Sequence, residues 1–314
     1  LLIWIIGFKL MTRNQAHLLL LLVTIFWGFT FVAQKTGMET IGPMSFTAAR
    51  YLIGSIGILP IALFEFKKNS ILPLFSSNKR LVLQTIGLGL FMFGGISLQQ
   101  IALQYTNIAN AAFLTALYVP AVPLINWLIT RHPIKSKIWL ALIISLFGSW
   151  LLSGSGTVLS QWGDLLIICS VFFWAGHILL IGHVTRKINA PFQISLVQSF
   201  ICFILSFGFA GILEKPELLD FMPAIPEIIL AGFFSVTLGF SLQIVGQRYS
   251  DPTACAFILS LESVFGALAG WLLLSQILGV SAFSGCLLIF MAVIIADIMP
   301  DRWITLKLIK GMHK

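Results

Sequence analysis

Residues 95–128, GISLQQIALQYTNIANAAFLTALYVPAVPLINWL, recur without a gap as residues 239–272, GFSLQIVGQRYSDPTACAFILSLESVFGALAGWL. The offset is 144 positions, and it pairs Gly95 with Gly239, Ser97 with Ser241, Gln99 with Gln243, Tyr105 with Tyr249, Phe113 with Phe257 and Trp127 with Trp271. Leucine matches such as Leu98 with Leu242 follow from composition alone, but coincident Gly, Gln, Tyr and Trp do not. The chain therefore reads as a tandem duplication. A weaker match at a slightly larger offset pairs Trp27 with Trp174 and Pro43 with Pro191, which carries the duplication back to the start of each half.

The solvent of both copies is lipid. Hydrophobic residues make up 58% of the 314, charged residues 10%, and the mean hydropathy is +1.00, a balance at which a water-soluble domain of this size would aggregate. Hydrocarbon offers backbone groups no partner outside a helix or a closed barrel, and Leu, Ile, Phe and Gly runs without strict alternation select helices. Apolar stretches long enough to cross a bilayer predict spans at 16–35, 44–64, 81–104, 108–130, 137–153, 164–184, 193–213, 226–247, 252–274 and 278–298. Gly42-Pro43, Pro73, Pro133, Gly154 to Gly156, Pro191, Pro216, Pro223 and Pro252 punctuate the breaks.

The fold class that follows is all-α integral membrane, with ten transmembrane helices in two five-helix repeats at 11–153 and 158–298. An odd number of crossings makes the second copy enter from the opposite side, so the repeats are inverted. Inverted repeats provide two near-equivalent packings that open to opposite faces, the basis of alternating access around a site near the midplane.

With the N-terminus cytoplasmic, sixteen of the nineteen Lys and Arg residues fall inside, leaving Lys35 and Lys215 outside and Arg50 within a span. Every connection then obeys the positive-inside bias, which one helix more or less would scramble. This orientation accounts for the net charge of +8 and makes a nucleic-acid partner improbable. The expected location is the inner (plasma) membrane, multi-pass, with both termini cytoplasmic. Residues 1–10 are too short to span and lack the basic flank and cleavage site of a signal peptide; they read as an untranslated or disordered extension, with initiation at Met11. Residues 299–314 read as a basic cytoplasmic tail.

Charges at the bilayer centre are costly, so the few polar groups at depth are the candidates for substrate or proton contact. Glu262, Gly266 and Gly270 share one stripe of the ninth span. That stripe is either a packing seam or the place where a carboxyl meets a proton or a substrate amine. Arg50, on one face with Gly54 and Gly57, either grips a substrate carboxylate or pairs within the protein. His177 is either a proton relay or a satisfied core histidine. Gln99 and its repeat mate Gln243, with Gly232, Ser235 and Gly239, suit a cavity wall or a helix seam equally, and Gln198 carries the same ambiguity. Trp27, Trp174 and Tyr118 could line a pocket for an apolar or aromatic moiety, or simply pack. Cys169, Cys202, Cys255 and Cys286 fall singly inside spans and read as packing residues. There is no Walker-type loop, His-Glu-x-x-His or Gly-x-Ser-x-Gly, so no enzyme activity, cofactor or metal is called for.

Leu22 to Val32 with Trp27-Gly28 and Phe31, Pro43 with Ala49-Arg50-Tyr51, Ala111 to Trp127, Trp174, and Leu261-Glu262-Ser263-Val264-Phe265 followed by Gly270-Trp271-Leu272-Leu273-Leu274 resemble the drug/metabolite transporter superfamily, in particular its ten-helix exporters built from two EamA domains. The resemblance implies cytoplasmic termini, a central cavity between the halves, peripheral fifth and tenth helices, and efflux of amino acids, related metabolites or drugs. Ser263 stands where the family usually has Pro, and Gln276 and His132 stand where it usually has an acid. The expected function is a secondary exporter working by alternating access, proton-coupled or not. Its partners are a small-molecule substrate and the bilayer, with a homodimer left open. The rival readings are a membrane enzyme or lipid-handling protein, and a carrier for uptake or exchange of an anionic metabolite.

Overall fold

The computed structural model describes residues 11–69, 78–106, 108–153, 162–274 and 278–297. The extension at 1–10, the breaks at Pro73 and Gly154 to Gly156, Gln276 and the tail at 299–314 lie outside them. Among the described residues all regular structure is helical. In chain order the helices are α1 (Arg13–Gly37), α2 (Pro43–Asn69), α3 (Lys79–Ala102), α4 in two pieces (Ile108–Thr115 and Tyr118–Thr130), α5 (Ser136–Leu152), α6 (Trp162–Thr185) and α7 (Pro191–Leu213). Then come α8 in three pieces (Ile225–Leu230, Ala231–Phe240 and Ser241–Gln247), α9 in two (Pro252–Leu259 and Leu261–Leu274) and α10 (Val280–Asp297). Nine of the described spans are long and apolar enough to cross a membrane, and α5, at 17 residues, is the shorter tenth.

The helix packing is invariant to exchange of the two halves. The contact of α3 with α6 has its counterpart in α8 with α1, that of α3 with α7 in α8 with α2, and that of α4 with α6 in α9 with α1. The α2–α7 and α5–α10 pairs map onto themselves, which places them on the two-fold axis relating the repeats.

Inversion of the repeats is visible in the α2–α7 pair. At one membrane face Glu214, just past the end of α7, accepts from Met44 N and Ser45 N at the start of α2, both at 2.7 Å. At the other face Glu65, near the end of α2, accepts from Gln193 N at the start of α7 at 2.9 Å. Equivalent helices thus run antiparallel, and each carboxylate satisfies backbone N–H groups that a helix start leaves without partners. Pro43 and Pro191 open the two helices, a position where proline's missing N–H costs nothing.

The fourth and ninth spans, expected as continuous helices, break at equivalent places for different reasons. In α4, Pro120 has no N–H for the Ala116 carbonyl, which accepts instead from Val119 N at 3.0 Å in a tightened turn. In α9 no proline stands at the break. Ser260 Oγ donates to the Phe257 carbonyl and Ser263 Oγ to the Ser260 carbonyl, both at 2.7 Å, and such back-bonding hydroxyls bend helices. Ser263 thus supports the break.

The eighth span departs from the α period over Ala231–Phe240, which is π-helical. The wider turn rotates the polar stripe read at α spacing. Ser235 and Gln243 face the interior, whereas Gly232 packs on the Arg50 carbonyl and Ile53 of α2. The outside of the bundle carries exposed large apolar side chains such as Phe172, Phe207 and Leu287, as a lipid-facing surface requires.

Candidate functional site

Six helices, α1, α3, α4, α6, α8 and α9, surround a small cavity of about 50 Å³ at mid-bundle. Of the sequence candidates, Trp27, Gln99, Tyr118, Trp174, Gln243 and Glu262 line it. Arg50, His177 and Gln198 do not, and form a buried layer behind its wall.

The two tryptophans reach the cavity because glycines make room for them. A Cβ on Gly95 would sit 2.9 Å from the Trp174 ring, and one on its repeat mate Gly239 would overlap Trp27. Phe240 stands between the indoles, its ring centroid 4.9 Å from that of Trp27 and 6.3 Å from that of Trp174, the latter pair nearly parallel. The symmetry of shape is not a symmetry of bonding. Trp27 Nε1 donates to the Ser235 carbonyl in the π-helical stretch at 3.2 Å, while the Trp174 N–H has no hydrogen-bond partner among the described residues.

Three further polar groups converge on the same space. The Tyr118 hydroxyl and Gln243 Oε1 are buried without a partner among the described residues. Glu262 is half-buried, and none of the described residues is recorded as hydrogen-bonding or ion-pairing to its carboxyl. Glu262 can lie at this depth because α1 and α9 cross closely: a Cβ on Gly28 would be 2.5 Å from Phe265 Cβ. Buried polar groups are normally paired, so a cavity offering two unpaired donors, an amide oxygen and a carboxyl is suited to a ligand that supplies the partners.

Behind the wall, Arg50 is fully buried, with one bond from Nη2 to Gln100 Oε1 at 3.3 Å and the rings of Tyr51 and Phe46 at 5.3 and 5.8 Å from its guanidinium carbon. Gln100 in turn donates to the Gln34 carbonyl at 3.4 Å, and Gln34 lines the cavity. His177 and Gln198 are paired with each other, Nε2 to Oε1, at 3.0 Å, and the imidazole packs edge-on, at 6.0 and 6.3 Å between centroids, against Trp174 and Phe240, which line the cavity. The four cysteines are free. Among the described residues no three His, Cys, Asp or Glu side chains are grouped as a metal site would need.

Gln34, Thr115 and Phe240 also line the cavity and are not among the sequence candidates. Thr115 sits at the α4 break, which Pro120 signals, but nothing distinguishes Phe240 from the other 26 phenylalanines.

An inverted ten-helix repeat closed over one aromatic and polar cavity is the architecture of a membrane carrier. The EamA-like transporter family model matches residues 14–154 and again 161–296. The chain belongs to this family. It is 30% identical over 288 residues to an uncharacterized transporter of Archaeoglobus fulgidus, covering 91% of this chain and 87% of the relative. It is 21% identical over 284 residues to the uncharacterized transporter YoaV of Bacillus subtilis, covering 85% and 91%. One solved crystal structure superposes with a TM-score of 0.76 at 16% identity, over 93% of this chain and 99% of that one, a likeness of fold alone.

Proposed function

We propose that this chain is a secondary exporter that moves a compact molecule with an apolar or aromatic body and a basic nitrogen out of the cytoplasm across the inner membrane, in exchange for protons. Amino acids, related metabolites and amine drugs have that chemistry. The observation that carries the reading is Glu262: a carboxyl facing an aromatic-walled cavity, without a partner among the described residues. A proton and a substrate ammonium compete for such a group, and competition at one alternately exposed site is sufficient for exchange. Trp27, Phe240 and Trp174 supply the surface for the apolar body, and the Tyr118 hydroxyl, the Trp174 N–H and Gln243 Oε1 orient the remaining polar atoms. The moving units are taken as residues 11–153 and 158–298, with both termini on the cytoplasmic side.

Uptake or exchange of an anionic metabolite is the second reading. It draws on Arg50, whose Nε and Nη1 have no hydrogen-bond partner among the described residues. Its weakness is that Gln34 and Gln100 lie between this guanidinium and the cavity.

Counterflow of a labelled metabolite panel into liposomes containing the purified protein tests the proposal. Exchange of at least one amine-bearing compound is expected; exchange restricted to anions favours the second reading, and none by demonstrably folded protein counts against both.

A further inference from the structure

A second concavity, remote from the central cavity, opens at the membrane face where α1 begins and α10 ends. It has a volume of about 450 Å³ and lies between the peripheral helices α5 and α10 and the ends of α1, α4 and α9. Among the described residues its charged lining is Arg13, Lys135 and Lys137 with the imidazole of His132, against one carboxylate, Asp251. Asp251 is engaged in capping α9, accepting from Thr253 N at 2.8 Å. Asp297, also among the described residues nearby, is held by Arg13 and by His17, the latter at 2.7 Å. The groove is therefore cationic in balance. Its floor is apolar, made by Pro123, Ile134, Ile138 and Ala254.

The exposed neighbours set its depth. Trp139, one turn into α5, is 47% exposed, and Ile129 at the end of α4 is 72% exposed, so the groove lies where apolar side chains give way to Lys and Arg. Tryptophan favours the headgroup level of a bilayer, and basic pockets between helix ends at that level match anionic headgroups. A soluble anion would need the cations but not the apolar floor or the lipid-facing flank.

We infer that this groove seats the phosphodiester headgroup of an anionic phospholipid, with Lys135 and Lys137 on the phosphate and the acyl chains leaving along α5. The bound lipid ties the peripheral α5–α10 pair to the ends of α4 and α9. The inference is independent of the identity of the substrate.

Melting of the purified full-length protein in detergent, with added phosphatidylglycerol, phosphatidylcholine or inorganic phosphate, tests it. Phosphatidylglycerol is expected to raise the melting temperature of the wild type by several degrees and the other two to leave it unchanged. The Lys135→Gln/Lys137→Gln double variant is expected to lose the shift, the Lys135→Arg/Lys137→Arg variant to keep it, and Arg186→Gln/Lys187→Gln, in another basic loop, to keep it too. An equal shift in both glutamine variants, or the same shift from inorganic phosphate alone, overturns the assignment. Native mass spectrometry supplies the second readout: lipid retained by the Lys135→Gln/Lys137→Gln variant to the wild-type extent overturns it as well.

Discussion

Tyr118 and Glu262 occupy equivalent positions in the two repeats, 144 residues apart, each in the first turn after the break of its helix, and both side chains face the same cavity. The scaffold treats the two positions alike while the chemistry differs: a phenol in one half, a carboxyl in the other. Alternating access needs near-equivalent halves, but the proposed proton exchange needs only one acid, and this pair would serve both requirements.

Replacing Tyr118 by Phe removes a hydroxyl that has no partner within the described protein and leaves the ring. Folding and melting temperature are expected to stay at wild-type values, while the half-saturating substrate concentration rises roughly 5-fold, the worth of one neutral hydrogen bond of about 1 kcal/mol. Counterflow titration measures it. A variant indistinguishable from wild type in affinity would remove Tyr118 from the site.

Gly28→Ala adds a methyl group where Phe265 and the Gly266 backbone already stand. Overpacking of this kind costs about 1–3 kcal/mol. The expected result is a lower melting temperature together with impaired transport, because the α1–α9 crossing positions Glu262. Normal stability would mean that the crossing is looser than the structure has it.

Glu214→Ala leaves Met44 N and Ser45 N without their cap. A loss of roughly 2 kcal/mol is expected, as for hydrogen bonds to a charged acceptor at a helix start. Substrate affinity should be unchanged, since Glu214 is at the membrane face and not in the cavity lining. Thermal melting and counterflow, run side by side, separate the two effects.

His177→Gln distinguishes a relay from a packing residue. The imidazole is bonded to Gln198 and is not part of the cavity lining, so the variant should be destabilised by about 1 kcal/mol while keeping the wild-type dependence of transport on pH. A flattened pH profile would return His177 to the proton path.

Which parts of this were legible in the sequence has a physical reason. The ten spans were readable because lipid imposes length and apolarity on each helix separately, and the inversion because five crossings per copy permit nothing else. Trp27, Gln99, Tyr118, Trp174, Gln243 and Glu262 stood out as polar or aromatic residues at depth, and the structure brings them to one cavity. Arg50, His177 and Gln198 stood out for the same reason yet lie one layer behind, because depth in the membrane does not say which face of a helix a residue occupies. The rotation of α8 was hidden, since a π-helical stretch changes the period without a marker residue. The reciprocal caps by Glu65 and Glu214 were hidden too, as both acids lie at span ends where charge is ordinary.

The proposal that Glu262 alternates between proton and substrate is tested most directly by transport driven by a pH gradient in liposomes, with Glu262→Gln beside the wild type. The wild type should accumulate an amine-bearing substrate against its concentration gradient. Glu262→Gln, which keeps the shape and removes the ionisable group, should fall to the level of empty liposomes for gradient-driven accumulation while remaining folded by melting and gel filtration. Accumulation of every cargo at the wild-type rate by Glu262→Gln would contradict the account.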